Sequence, residues 1–359
     1  KSITGITCII EQRQKILVCE FITAGGFSDA PLPCSLAKEG ALMRDALLRD
    51  LSELNAYQLI SLHDVRLEPS SMVSHSSPVA AGQFIQVFEA LLMQVDLVWL
   101  IAPESDGHLL KLTELCLEAE NKQDGPILLG CGYDACLIGT SKTLSYEAMQ
   151  AAGIHTLPVH AGEDVIRDDY FAQLAQSKEA WLVKPEDGAG CEGIQYFASI
   201  AAMRDWMQLM DRSQHFFAQA YQSGIAASFC MLCRDGQAWL LSVNQQHVSM
   251  QDNGFVLHGI SVNGLNQYWS RFETLARKMA KMLPDALAYV GVDVIMDTQN
   301  DAIYVIDINP RLTSSYVGLR EAMACNPAEL ILSCVLSARF KLPLIEKNRV
   351  DIILQENDA

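Results

Sequence analysis

Asp293-Val294-Ile295-Met296-Asp297, then a short turn, then Ile303-Tyr304-Val305-Ile306-Asp307-Ile308-Asn309-Pro310-Arg311 is the stretch on which the reading of the fold turns. Two apolar runs flanking a polar turn predict an antiparallel hairpin, 289–296 with 302–308. Residues two apart on a strand share a face, so Asp307 and Asn309 point the same way, and an odd-length loop brings Asp293 opposite Asp307. Such residues could simply face water, but Asp307 and Asn309 interrupt a strongly apolar strand, where polar groups need partners. Three converging hard oxygen donors suit magnesium, which takes a few protein oxygens and completes its octahedron with phosphate oxygens. Pro310 removes a ladder donor and ends the strand, leaving Arg311 on a fixed turn, where a guanidinium suits bidentate binding of a phosphate.

Upstream lies Lys184-Pro185-Glu186-Asp187-Gly188-Ala189-Gly190-Cys191-Glu192-Gly193-Ile194. A lysine ending an apolar strand, followed by Gly188, Gly190 and Gly193, sets an ammonium beside backbone that can approach phosphate oxygens closely. The lysine precedes the glycines, so this is neither the GxxxxGK[ST] loop nor a dinucleotide-binding GxGxxG. Alone, the same composition also describes a surface turn.

Outward from these motifs the chain reads as an α/β protein in three units. Residues 1–136 alternate apolar strands (15–21, 56–62, 96–101, 127–130) with helical patterns (36–51, 83–94, 109–120), the signature of a parallel sheet covered by helices. Within it, 68–78 is polar and unperiodic and reads as a surface loop. Residues 137–221 form a small α+β lobe, entered by a helix over 142–152 and holding strands at 181–185 and 216–221 with a helix at 199–210 between them. Residues 222–345 form a larger antiparallel lobe. Its first hairpin turns on Asp235-Gly236, a pair that supplies the positive φ of tight hairpins, and a helix over 268–283 precedes the metal hairpin. Residues 346–359 read as a C-terminal tail.

Composition narrows the function. Half of the residues are hydrophobic and 19% are charged, enough apolar material for several buried layers. The net charge of −17 repels nucleic acid and anionic membrane surfaces, so neither is an expected partner. The 11 cysteines sit in apolar runs such as Ile6-Thr7-Cys8-Ile9-Ile10 and read as reduced, buried thiols. Cys230 and Cys233 have CxxC spacing, but on a strand they face opposite sides. The histidines form no metal-ligand spacing, although His258, beside Gly259 in the large lobe, is a candidate substrate contact. With no signal-like opening and no long apolar run, the expected location is the cytoplasm.

Taken in order, Lys142 before a helix ending in Ala-Gly-Ile, Lys184 with its glycine loop, Gln219-Ala220-Tyr221 before Gly224, and Asp293 with Asp-Ile-Asn-Pro-Arg resemble the ATP-grasp superfamily. Further likeness, through 15–26 with its Gly25-Gly26, Glu39-Gly40-Ala41-Leu42-Met43, and 309–318, is to the tyramine–glutamate ligase group of methanofuran biosynthesis and its bacterial relatives. The resemblance implies an ATP-grasp fold: a pre-ATP-grasp α/β domain, a small lobe and a large lobe, with ATP between the last two.

Position by position, it implies that Lys142 and Lys184 contact ATP phosphates under Gly188, Gly190 and Gly193, and that Gln219, Ala220 and Tyr221 line the adenine. Asp293, Asp307 and Asn309 would hold one or two magnesium ions, with manganese as a substitute. Arg311 would face the reacting phosphate, making it and Lys184 the expected catalytic pair. Gly25, Gly26, His258, Arg311, Thr313 and Ser314 are the substrate candidates. The implied activity is ATP-dependent amide formation between an amino-acid carboxylate, glutamate, and an amine such as tyramine, through an acyl phosphate, in a cytoplasmic enzyme of cofactor biosynthesis that forms a homodimer. The alternatives are a pterin–glutamate or other peptide-forming ligase, and an ATP-binding regulatory protein without ligase activity. The family commonly has Glu at the position of Asp307 and an acidic residue at that of Ala220.

Overall fold

A parallel strand that is apolar on both sides of its pleat needs cover on both faces. The computed structural model, which describes residues 13–174, 180–186, 191 and 193–354, supplies it. Strands β1 (Gln14–Glu20), β2 (Tyr57–Asp64), β3 (His75–Val79), β4 (Leu97–Ile101) and β5 (Ile127–Leu128) form a parallel sheet in the order β3-β2-β1-β4-β5. Ile16 and Val18 pack with Met43, Leu47 and Leu51 of helix α1 (Cys34–Ser52). From the opposite face, Leu17 and Cys19 meet Phe88 of α2 (Phe84–Leu92) and Leu112 and Cys116 of α3 (His108–Glu120).

The 68–78 stretch is not a loop throughout, because His75–Val79 is the edge strand β3. An edge has one side without ladder bonds, which is why it accommodates Pro78 and a polar composition.

Helices α4 (Tyr133–Thr140) and α5 (Lys142–Ala151) lead to a four-stranded antiparallel sheet of β6 (His160–Ala161), β7 (Trp181–Pro185), β8 (Gln195–Phe197) and β9 (Phe216–Ala220), ordered β6-β9-β7-β8. Its own small core gathers Val165, Trp181, Val183, Met203, Met207 and Ala218. The third sheet is antiparallel: β10 (Ile225–Arg234), β11 (Gln237–Gln251), β12 (Gly254–Val262), β13 (Ala288–Asp297), β14 (Ala302–Asn309) and β15 (Val350–Ile353), ordered β14-β13-β10-β11-β12-β15. Asp235 and Gly236 both have positive φ, 52° and 71°, as the Asp-Gly turn requires.

Part of the stretch read as a tail, 346–359, is therefore structural: β15 pairs with β12 and closes that edge of the sheet, while 355–359 lie outside the described residues. Cys230 belongs to the core shared with α1 and Cys233 to the core on the other face, so the CxxC pair is split across the sheet. Cys8 lies outside the described residues; the ten described cysteines are all free thiols. Both large cores draw residues from the parallel sheet and the six-stranded sheet, which fuses those two units, whereas the small sheet has a separate core. Among the described residues, no helix is long and apolar enough to cross a membrane.

Candidate functional site

The three sheets meet around a cavity of about 220 Å³. The β13–β14 hairpin forms one wall and pairs Asp293 directly with Asp307, as the sequence predicts, but by a different device. The connecting loop, 298–301, is even in length. The odd residue is Ile306, a bulge that shifts the register between Val294–Val305 and Asp293–Asp307. A bulge re-aims the side chains that follow it. Here Ile306, Asp307 and Asn309 line the cavity while Val305 and Ile308 enter the core.

Around the hairpin the polar groups are closely engaged. Asp293 accepts hydrogen bonds from Gln246 Nε2 at 2.8 Å and Asn309 Nδ2 at 2.9 Å. Burial and the neighbouring Asp307 carboxylate push the Asp293 carboxyl up to about 6. Lys142 opens α5, whose N-terminus is capped by Ser141, and its Nζ lies 2.5 Å from Asp307 Oδ1. Burial pulls the Lys142 ammonium down, but Asp307, Glu104 and Asp293 outweigh it and hold the group above its ordinary value. Lys184, at the end of β7, donates to Gln219 Oε1 at 2.8 Å. Burial, with Lys142 adding to it against the pull of Asp307, brings the Lys184 ammonium down to about 8.

Arg311 is not free to turn. Its Nε and Nη2 donate to the two carboxylate oxygens of Glu104, at 2.9 and 2.6 Å. Glu104 is only 2% exposed and follows β4, so the parallel sheet reaches across and grips the arginine in a two-toothed ion pair. Sequence reasoning missed Glu104. The signal was available, since Ala102-Pro103-Glu104 leaves the carboxyl end of a parallel strand, where open α/β sheets place their ligand sites.

Thr313 and Ser314 line the cavity, and the Ser314 hydroxyl donates to Glu39 of α1, a second residue that the sequence reading did not single out as a site. Other candidates fall elsewhere. Gly25 and Gly26 do not line the cavity; Gly25 has φ +98° and sits tight against Val79, and Gly26 against the Phe21 ring, so the pair serves the turn after β1. His258 also lies off the cavity lining, with Nε2 2.6 Å from Ser249 Oγ. Gln219, Ala220 and Tyr221 are absent from the lining too: Gln219 orients Lys184, and Tyr221 packs against Tyr196 and Phe255. Gly188 and Gly190 lie outside the described residues, and Gly193 turns with φ +73° against Pro185.

Comparison with known proteins agrees with this architecture. The pre ATP-grasp 3 domain family matches residues 57–136 and the ATP-grasp domain family matches 140–315. A tyramine–L-glutamate ligase of Methanocaldococcus jannaschii is 25% identical over 336 residues, covering 89% of this chain and 88% of the relative. Among solved structures, an ATP-grasp superfamily protein from Archaeoglobus fulgidus superposes with TM-score 0.66 at 21% identity, over 94% of this chain and 99% of the other. An L-amino acid ligase from Bacillus licheniformis does so with TM-score 0.63 at 12% identity, over 90% of this chain and 74% of the other, a likeness of fold alone. With two consecutive domain matches, the three-sheet fold and a relative alignable along nearly its whole length, this chain belongs to the ATP-grasp family and is an ATP-dependent carboxylate–amine ligase resembling the tyramine–glutamate ligases.

Proposed function

We propose that the enzyme joins the carboxylate of glutamate to tyramine or a closely related amine, through an acyl phosphate formed from ATP. The observation that carries the reading is the charge arrangement in the cavity lining, where Lys142, Lys184 and Arg311 lie within electrostatic reach of the Asp293–Asp307 pair. Phosphoryl transfer asks little covalent chemistry of the protein and much positioning and charge neutralisation. Lys142 and Lys184 supply ammonium groups for the phosphates. Arg311, fixed by Glu104, offers its remaining N–H groups to a carboxylate or acyl-phosphate oxygen.

The donor set fits a divalent cation. Two carboxylates lie directly opposite each other, and the one held at about 6 is a group that a cation would return to its charged form. Asp293, Asp307 and the Asn309 amide oxygen would hold magnesium, which neutralises phosphate charge when bound. That the second carboxylate is an aspartate shortens its reach by one methylene.

A screen of amino acids and amines for coupled ADP release, with product masses determined, tests the reading. The expected result is ADP release that requires both glutamate and an aromatic amine, with a product at the mass of their amide. Lys184→Ala and Asp307→Asn should each abolish it while keeping the wild-type circular dichroism spectrum. Release that requires another carboxylate–amine pair would move the enzyme to a different ligation, and undiminished release by both variants would refute the site.

A further inference from the structure

The parallel-sheet unit contributes a share of the cavity lining that has its own chemistry. Ile22 after β1, Leu36 and Met43 on α1 and Ile101 on β4 are apolar lining residues, as is Leu257 of β12. The same parallel-sheet unit adds two carboxylates to the lining, Glu20 and Glu39, and no lysine or arginine of its own.

The two carboxylates are not equivalent. Glu20 is 2% exposed and spent on its own turn, accepting from Ile22 N at 3.2 Å, Thr23 N at 2.8 Å and Thr23 Oγ1 at 2.6 Å. Gly40 lets α1 approach it, since a Cβ there would lie 2.5 Å from the Glu20 carboxyl. Glu39 takes the Ser314 hydroxyl on Oε1, and among the described residues its Oε2 accepts nothing. Ser314 is three residues beyond Arg311, and Glu39 lies close enough to that guanidinium to raise its affinity for the proton. A carboxylate with one oxygen fixed and one open thus lines the cavity within electrostatic reach of the arginine.

An apolar lining with a single open carboxylate suits a primary ammonium on an apolar body. We propose that this part of the lining receives the acceptor amine and that Glu39 is the catalytic base that deprotonates it; the proposal rests on the ligase reading given above. The amine enters as R–NH₃⁺ and transfers one proton to Glu39 Oε2. The freed nitrogen lone pair attacks the acyl carbon, forming the C–N bond. The C–O bond to phosphate breaks, phosphate leaves with that electron pair, and the second nitrogen proton leaves with it as hydrogen phosphate. Glu39 then returns its proton to water. Ser314 holds the carboxylate in place, and Glu20 adds negative field without exchanging a proton.

Hydroxylamine provides the test, because it is small, largely unprotonated at neutral pH and needs neither an ammonium site nor a base. With ATP, magnesium and glutamate, the wild-type enzyme is expected to form the glutamyl hydroxamate. Glu39→Gln should retain hydroxamate formation within a few-fold, and lose at least about 10²-fold in kcat/KM for the amine, the usual minimum contribution of a positioned base. Glu39→Asp should recover part of the loss. Amine coupling at the wild-type rate in Glu39→Gln would overturn the proposal. So would a raised KM for glutamate with an unchanged KM for the amine, which would assign the carboxylate to the amino acid's own ammonium. Loss of hydroxamate together with amide would overturn it as well, by placing Glu39 in the first half-reaction. Absence of hydroxamate from the wild-type enzyme would instead count against the ligase reading, so the two failures are distinguishable.

Discussion

Asp293 ionises against its surroundings, and this gives the proposed metal site a measurable signature. Its folded value of about 6 lies above that of an ordinary carboxyl, so the native state binds an extra proton between the two. Stability from this group is therefore full below the ordinary carboxylate range and is lost as pH rises through about 6. A divalent cation would supply the missing positive charge, and below that pH it must first displace a proton. Magnesium is thus expected to raise Tm more about one pH unit above this value than one unit below it. Asp293→Asn should flatten the difference, and an equal shift at both pH values would remove Asp293 from the metal site. Arg311 raises a separate question, because its orientation depends on Glu104. Glu104→Gln keeps the shape and one acceptor oxygen but removes the charge. The expected outcome is at least about a tenfold loss in kcat/KM for the carboxylate substrate, the cost of roughly 1.4 kcal/mol in transition-state binding, with ATP affinity by calorimetry unchanged. An equal loss of ATP affinity would mean that the pair merely supports the fold.

At the level of elements, the residues legible in sequence were those whose local pattern carried the physics. β1, β4, β7, β13 and β14 announce themselves as apolar runs, and Lys184 and Asp307 as charges placed at the end of β7 and within β14. The bulge at Ile306 was hidden because a bulge changes pairing without changing composition. β3 and β15 were hidden because edge strands need only one apolar side. Glu104 and Glu39 acquire their roles from partners 207 and 275 positions away, separations that no local pattern encodes. Gly139, the penultimate residue of α4, is another such case: a Cβ there would lie 2.7 Å from Pro310 Cδ and 3.1 Å from the Ile308 carbonyl oxygen. Helix propensity alone would favour Gly139→Ala, by less than the ~1 kcal/mol of a helix interior because the residue is next to the helix end. Overpacking typically costs about 1–3 kcal/mol, and here it presses on the proline between Asn309 and Arg311. Gly139→Ala is therefore expected to lower Tm and to reduce kcat/KM more steeply than that loss implies. A variant of raised Tm and wild-type turnover would show that α4 moves aside freely.

Across the whole molecule, the distribution of core material dictates which parts can move. The parallel sheet and the six-stranded sheet share both large cores, so shifting one against the other would break apolar packing on two faces at once. The small sheet has a core of six buried side chains among the described residues, and its contacts with the rest include Tyr196 N to Asn253 O at 2.7 Å, the hydroxyls of Ser141 and Thr143 donating to Glu186 and the Tyr221–Phe255 stack. Local opening costs least where buried apolar contact is sparse. Lys184 rides on this loosely held lobe, whereas Lys142, Asp293, Asp307 and Arg311 belong to the rigid remainder, so the lobe's position governs whether the full charge set assembles. Hydrogen exchange should accordingly be faster in 181–185 and 216–220 than in 227–233 and 289–296, and ATP with magnesium should slow the first pair selectively. Because Lys184 supplies the lobe's charge to the cavity, Lys184→Ala should weaken that protection while leaving the slow exchange of 227–233 unchanged. Uniform protection across all four segments, or ligand protection confined to the large sheet, would instead mean that the small lobe is already locked in place before nucleotide arrives.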